Sequence, residues 1–356
     1  MGSISIPNHL HFVLFPFMAQ GHLIPMVDIG RLLAQRGVIV TIVTTPLNAG
    51  RVEKSIARAV ESGLPIRLLQ LEFPGKEVGL PDGVENADML YLKDDFLKFF
   101  AAVNKMEDAS ERLFEELTPR PDCIISDMCL CFTRNIATKF QVPRILFHGF
   151  CCFTLLCLHN VNSSNILEEV KSESEYFTVP GFPDKVELTK VQLPLIPIEA
   201  WKDIFPPVLE ADQASYGVVV NTFDELEPAY VEEYRKVRKA WCIGPVSLSH
   251  KNELDKAERG NKASIDEQQC LKWLDSKEPN SVIYACLGSI STLKSPELIE
   301  LGMGLEASKK PFIWVLRGNN TTSNEVEIVE STKERKRLAE MKILKENKNR
   351  NKRKKA

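Results

Sequence analysis

The pattern that most limits how this chain can fold lies near its start, where two short apolar runs flank a segment of helical spacing. His11 to Phe15 reads as a buried strand, and Val38 to Val43 as a second, β-branched one. Between them Ile29, Leu32 and Leu33 recur at helical spacing, with Pro25 as a start signal and Gly37 as a stop. A strand, helix and strand joined in this way form a parallel pair with a right-handed crossover. The turn Pro16 to Pro25, which holds Gly21 and His22, then lies at the carboxyl end of the first strand. Open α/β sheets bind their ligands at that edge. Imidazole is also the side chain whose ordinary pKa suits a general base near neutral pH. A lone loop histidine is commonly a solvated or capping residue, and position alone leaves that reading open.

Asp127 closes another apolar run, Cys123 to Ser126, at the expected carboxyl end of a strand. Phe132 to Phe140 then has helical character, and Pro143 to Phe147 reads as the next strand. His22 and Asp127, distant in sequence, therefore belong at one edge of one sheet. A carboxylate that accepts the Nδ1–H of a histidine sets its tautomer and stabilises the imidazolium. The competing reading makes Asp127 the N-cap of the following helix.

Further β–α units continue to about residue 240. The Gly- and Pro-rich stretch Phe73 to Asp88 reads as a long loop, and Leu90 to Leu117 as one or two helices. Glu168 to Pro207 reads as irregular and surface-lying, and such loops often wall a site on a rigid sheet. Beyond the polar run Ser249 to Ala263, Asp266 to Asp275 and Ser295 to Ser308 read as helices, Val282 to Leu287 and Phe312 to Leu316 as strands. The expected organisation is an α/β domain over 1–248, a linker over 249–265, the start of a second α/β domain over 266–318, and a polar, basic tail over 319–356 that is disordered or irregular.

Charge narrows the function classes. Lys333 to Lys355 holds twelve Lys or Arg against three Glu, a balance of +9, so the net −3 of the chain leaves −12 for the remainder. Such a tail can serve as a nuclear signal or touch nucleic acid, but it reads more simply as a solvated segment. The body has no basic stripe interleaved with aromatic residues, so no nucleic-acid partner is expected. The nine cysteines include no CxxC pair, which fits free thiols in a reducing compartment rather than a metal or disulfide framework. The N-terminus lacks a secretory pattern, and Ile145 to Val161 is short for a membrane span and interrupted by His148 and His159. A cytoplasmic monomer without a membrane span is expected. Neither GxGxxG nor GxxxxGK[ST] is present, which argues against a dinucleotide enzyme or a P-loop NTPase.

The stretches FPFMAQGHLIPMVDIGRLLAQRG, IISDMC, GVVVNTFDELEPAY, CIGPVS, KWLDSKEPNSVIYACLGS and KPFIWVLRG, in this order, resemble the plant family-1 UDP-glycosyltransferases. The branch that glucosylates terpenoids, steroids, cytokinins and flavonoids is the most similar. The resemblance runs from about residue 10 to about residue 318. It implies a GT-B architecture: a complete, doubly wound parallel-sheet N-terminal domain, followed here by the start of a second α/β domain. It also implies inverting transfer of a sugar, glucose above all, from a UDP-sugar to a hydroxyl of a small lipophilic acceptor, with no metal and no resident cofactor.

Carried over residue by residue, the resemblance makes His22 the general base and Asp127 its orienting partner. Gly21, Ser289 and Ser291 become donor contacts, the serines in the Gly288–Ser291 turn after a strand. Phe150, Phe153 and Trp201 are candidate acceptor walls. The family's W-x-P-Q … H-C-G-W-N-S box, which holds the nucleotide sugar, does not occur after Gly318. Weak or absent transfer by this chain is therefore expected, with a non-catalytic small-molecule binder as the alternative.

Overall fold

The computed structural model describes residues 9–90, 93–193, 205–249, 253–257, 259–260, 262–263, 265–290, 293, 295–317 and 323–329. The chain divides into two compact units between Arg259 and Gly260.

The first unit is built on β1 (His11–Phe15), β2 (Ile39–Thr44), β3 (Ile66–Gln70), β4 (Cys123–Asp127) and β5 (Arg144–His148). A hairpin of β6 (Tyr176–Thr178) and β7 (Glu187–Thr189) follows, and β8 (Gly217–Val220) and β9 (Ala240–Cys242) complete the strands. Seven of these form one sheet in the order β3-β2-β1-β4-β5-β8-β9, parallel throughout. The order reverses between β1 and β4, so the switch point of a doubly wound sheet falls there.

The helices are α1 (Gln20–Ala34), α2 (Pro46–Glu61), α3 (Lys93–Lys105), α4 (Glu107–Glu116), α5 (Thr133–Phe140), α6 (Cys152–Asn162), α7 (Ile166–Glu169), α8 (Phe205–Gln213), α9 (Pro228–Val237) and α10 (Glu253–Ala257). Alternation along the strands decides which face each side chain covers. Val13, Phe15 and Ile124 join a core with Phe99, Phe100, Phe114 and Ile136 from α3, α4 and α5. Leu14, Ile42, Ile125 and Phe147 face the other way, onto Met26, Ile29, Val52 and Ile56 of α1 and α2. Gly30 lets α1 approach closely, since a Cβ there would sit 3.2–3.3 Å from Ile42, Leu14 and Val40.

Four expectations need correction. Helix α1 starts at Gln20, and Pro25 lies inside it, where a first-turn position was expected. Pro25 offers no N–H to the Gly21 carbonyl four residues earlier, so that carbonyl lacks its helical donor. The stretch after Glu168 is not merely irregular: Cys157, Val161, Val170, Phe177, Val179 and Leu193 make a small core under the hairpin. The expected linker is folded in part, because α10 packs on the first unit. Buried Asp255 pairs with Arg31 at 2.5 Å and with Arg58 at 2.6 Å, and Arg259 holds Asp28 through two bonds of 3.1 and 2.6 Å.

The fourth concerns the second unit, which contains β10 (Lys262–Ala263), α11 (Glu267–Asp275), β11 (Ile283–Cys286), α12 (Ser295–Ala307), β12 (Phe312–Arg317) and β13 (Ser323–Val329). Its sheet runs β10-β13-β12-β11. Strand β13 falls in the stretch expected to be irregular and pairs antiparallel with β12, Phe312 opposite Val329. Its alternation at Val326 and Ile328 is a strand signal that the surrounding charge obscured. The basic run Lys333 to Lys355 lies outside the described residues.

Candidate functional site

His22 stands in the first turn of α1, directly after β1, and Asp127 is the last residue of β4. The two flank the switch point, and their side chains meet: His22 Nδ1 lies 2.6 Å from Asp127 Oδ2. Asp127 is fully buried, whereas 22% of the His22 side chain is accessible. With Nδ1 donating to the carboxylate, Nε2 carries the lone pair, the arrangement a general base needs.

The capping alternative for Asp127 fails. Helix α5 begins after Phe132 without a side-chain cap. The second oxygen of Asp127 instead accepts the Cys129 N–H at 3.0 Å, a turn closed two residues on. Burial alone would lower the His22 pKa, but the charge of Asp127 and its hydrogen bond outweigh burial, and the net shift is upward. Burial likewise works to raise the Asp127 pKa. The His22 charge and hydrogen bond, with the Cys129 N–H, prevail and hold it below the usual carboxylate value. The pair thus favours imidazolium beside carboxylate, the state reached once the imidazole has taken a proton.

Other expected residues fall in different places. Gly21 is exposed beside His22, and a Cβ there would meet nothing within 4 Å. Phe150 is 41% exposed in the β5–α6 loop, its ring centroid 6.4 Å from that of His148. The adjacent Gly149 approaches the Gly21 carbonyl, with 3.6 Å left for a Cβ, so this loop borders the His22 turn. Phe153 points elsewhere, into an aromatic trio with Phe182 and Tyr230 at 5.1 and 4.9 Å. Ser289 is partly buried in the second unit, after Gly288 in a left-handed turn (φ +88°). Trp201 and Ser291 lie outside the described residues.

Sequence reasoning missed several neighbours. Phe17 sets its ring 5.4 Å from the His22 imidazole in an edge-on contact and stacks on Phe100 at 5.7 Å. Its place between β1 and Gly21 was the available signal. His148 ends β5 next to β4, buried, with Nε2 3.2 Å from Asp212. Glu227 of the DELEP stretch caps α6 through the Cys152 and Phe153 N–H groups at 2.9 and 2.7 Å. Among the described residues no group of three or more His, Cys, Asp or Glu could hold a metal ion, and no helix is long and apolar enough to cross a membrane.

No protein-family profile matches the chain. It is 59% identical over 315 residues to UDP-glycosyltransferase 73C5 of Arabidopsis thaliana, covering 87% of this chain and 64% of that protein. UDP-glycosyltransferase 73C25 of Barbarea vulgaris is 57% identical over 324 residues, 88% of this chain and 65% of the relative. The chain thus spans a little under two thirds of the length of these relatives. UDP-glycosyltransferase 73C1 of Arabidopsis thaliana is 54% identical over 339 residues, 94% of this chain and 69% of the relative. The crystal structure of UGT73P12 of Glycyrrhiza uralensis, complexed with glycyrrhetinic acid 3-O-monoglucuronide, superposes with a TM-score of 0.78 at 32% identity, covering 96% of this chain and 68% of that one. A parallel sheet that reverses between β1 and β4, a histidine and an aspartate paired across the reversal, and relatives of this similarity and coverage place the chain in the plant UDP-glycosyltransferase family, with its GT-B fold.

Proposed function

We propose that this chain carries the base and acceptor side of an inverting glycosyltransferase, which moves glucose from UDP-glucose to a hydroxyl of a small lipophilic molecule. The observation that carries the reading is the buried Asp127 carboxylate 2.6 Å from Nδ1 of a partly accessible His22. His22 Nε2 takes the acceptor hydroxyl proton while the oxygen attacks the anomeric carbon, and UDP departs from the opposite face. Asp127 keeps the imidazole in the required tautomer and stabilises the imidazolium. Such base catalysis contributes about 10²–10⁴-fold.

The half-exposed ring of Phe150, beside the His22 turn, suits a flat or terpenoid-like acceptor. Terpenoids, steroids, cytokinins and flavonoids are the acceptor classes proposed, with Phe153 and Trp201 as further candidate walls. Gly21, Ser289 and Ser291 are the proposed donor contacts, the UDP-sugar being a co-substrate and no resident cofactor being required. A cytoplasmic monomer is proposed, the reducing compartment being supported by nine cysteines that are all free.

Transfer by the 356 residues alone is expected to be weak, because the family's nucleotide-sugar box is not among them. The test joins this chain to the last third of a 73C relative and follows glucoside formation by mass spectrometry with an acceptor panel. Transfer that disappears in His22→Ala supports the reading, and undiminished transfer in that variant overturns it. Acceptor binding without transfer in the joined protein would favour a non-catalytic binder.

A further inference from the structure

The His22 turn is held from a second side by residues with no assigned part in the reaction. Helix α1 begins on Ala19, whose side chain cannot cap it, so the first turn needs tertiary support. Gln20 and His22, two residues apart, project about 200° apart around the helix axis. On the His22 side the tether is Asp127. On the Gln20 side the amide Nε2 donates to Asp88 Oδ2 at 2.9 Å. Asp88 is itself fixed by Arg51 of α2, through bonds of 2.8 and 3.1 Å to its two carboxylate oxygens. Only 4% of the Asp88 side chain and 15% of the Arg51 side chain are accessible.

The loop that carries Asp88 is locked in turn. The Ala87 N–H donates to the Met18 carbonyl at 2.8 Å, next to the turn itself. Asn86 accepts the Asp88 N–H at 2.9 Å and donates to Asn48 at 2.6 Å, and Glu85 accepts the Leu47 N–H at the start of α2 at 2.9 Å. The loop is therefore a buttress between α2 and the β1–α1 turn.

We propose that Gln20, Asp88 and Arg51 are positioning residues for His22, setting the roll of α1 about its axis so that Nδ1 stays on Asp127. The inference rests on the reading of His22 as base. Two tethers on opposite sides of one helical turn oppose rotation, which one alone would not. A roll of about 20° moves an atom roughly 5–6 Å from the axis by about 2 Å, enough to break the His22–Asp127 bond. The Arg51–Asp88 pair would satisfy its own charges without Gln20. Recruiting the Gln20 amide onto the same carboxylate couples that pair to the turn.

The test reads the His22 pKa by NMR of the histidine ring signals in the full chain, assigned with His22→Gln, so it needs no turnover. Gln20→Met keeps the length and packing of the side chain and removes only the amide. Wild type should titrate above 6.5, and Gln20→Met should lower the His22 value by about half a unit as its contact with Asp127 loosens. Arg51→Lys keeps the charge without the two-point grip and should give a smaller fall in the same direction. Thermal unfolding of Gln20→Met should stay close to wild type, which separates positioning from general loss of stability. A raised wild-type value left unchanged in both variants overturns this proposal while leaving His22 as base. A wild-type value at or below 6.5 overturns the His22–Asp127 reading itself, and this one with it.

Discussion

The two units differ in how completely each covers its own sheet. In the first, Leu14, Val13, Ile124 and Phe147 are fully buried in central strands between two layers of helices. In the second, Ile283 and Ala285 of β11 face α12 through Leu298 and Leu301, while Tyr284 on the opposite face is 67% exposed and Leu287 just beyond it 45%. Strand β11 is also an edge of its sheet among the described strands. Parallel sheets ordinarily bury both faces, so the central strands of the first unit meet the requirement and β11 does not. The residues that meet in a charge-paired site, His22 and Asp127, lie in the well-covered unit. A buried carboxylate holds its partner firmly only where water is excluded around it.

The sharpest way to break this comparison is to remove one aromatic side chain from each unit. Phe147→Ala should cost about 3–5 kcal/mol in denaturant unfolding, because it opens a cavity in a fully packed layer. Tyr284→Ala should stay within about 0.5 kcal/mol, its ring having little to lose. Equal losses would mean that the units are covered alike.

The second contrast concerns charge. In the joined protein described above, the rate should rise with pH through the raised pKa of His22, because only neutral imidazole accepts the proton. Asp127→Asn should lower the plateau rate by one or more powers of ten, by favouring the wrong tautomer, and shift the acid limb to lower pH. Stability carries the opposite sign. A folded pKa raised above 6.5 gives His22 a stabilising contribution that is present below that value and lost as pH rises through the folded one. The lowered Asp127 pKa contributes stability above its ordinary value of 3.8, lost as pH falls through the folded one. An acid limb unmoved in Asp127→Asn would show that the carboxylate does not govern the base.

Thiol labelling gives a gentler comparison. Cys286, exposed on β11, should react at once with a maleimide. Cys123, buried in β4 and pushed up to about 12 by burial and by Asp122, should react only on unfolding. Limited proteolysis is the smallest test. Asp255→Asn should speed trypsin cleavage at Lys256 by loosening α10 from Arg31 and Arg58, with cleavage elsewhere in the first unit unchanged.

Sequence alone determined β1, α1, β2, β4, α5, β5 and β8, the doubly wound plan, and the two strand ends beside which His22 and Asp127 stand. Hydrophobic period and turn chemistry are local properties, readable over ten or so residues. His22 and Asp127 were legible because each closes a strand at the same sheet edge, although 105 residues separate them. Tertiary structure alone decided that their atoms lie 2.6 Å apart, that Phe17 packs on the imidazole while Phe153 joins Phe182 and Tyr230, and that Asp255 and Arg259 bind the expected linker to α1 and α2. It also decided that Gln20 shares a carboxylate with Arg51. Polar pairings across 68 or 231 residues leave no periodic trace in the chain. They are selected by geometry once helices and strands have packed, because a buried charge or amide must find whichever partner the packing brings within reach.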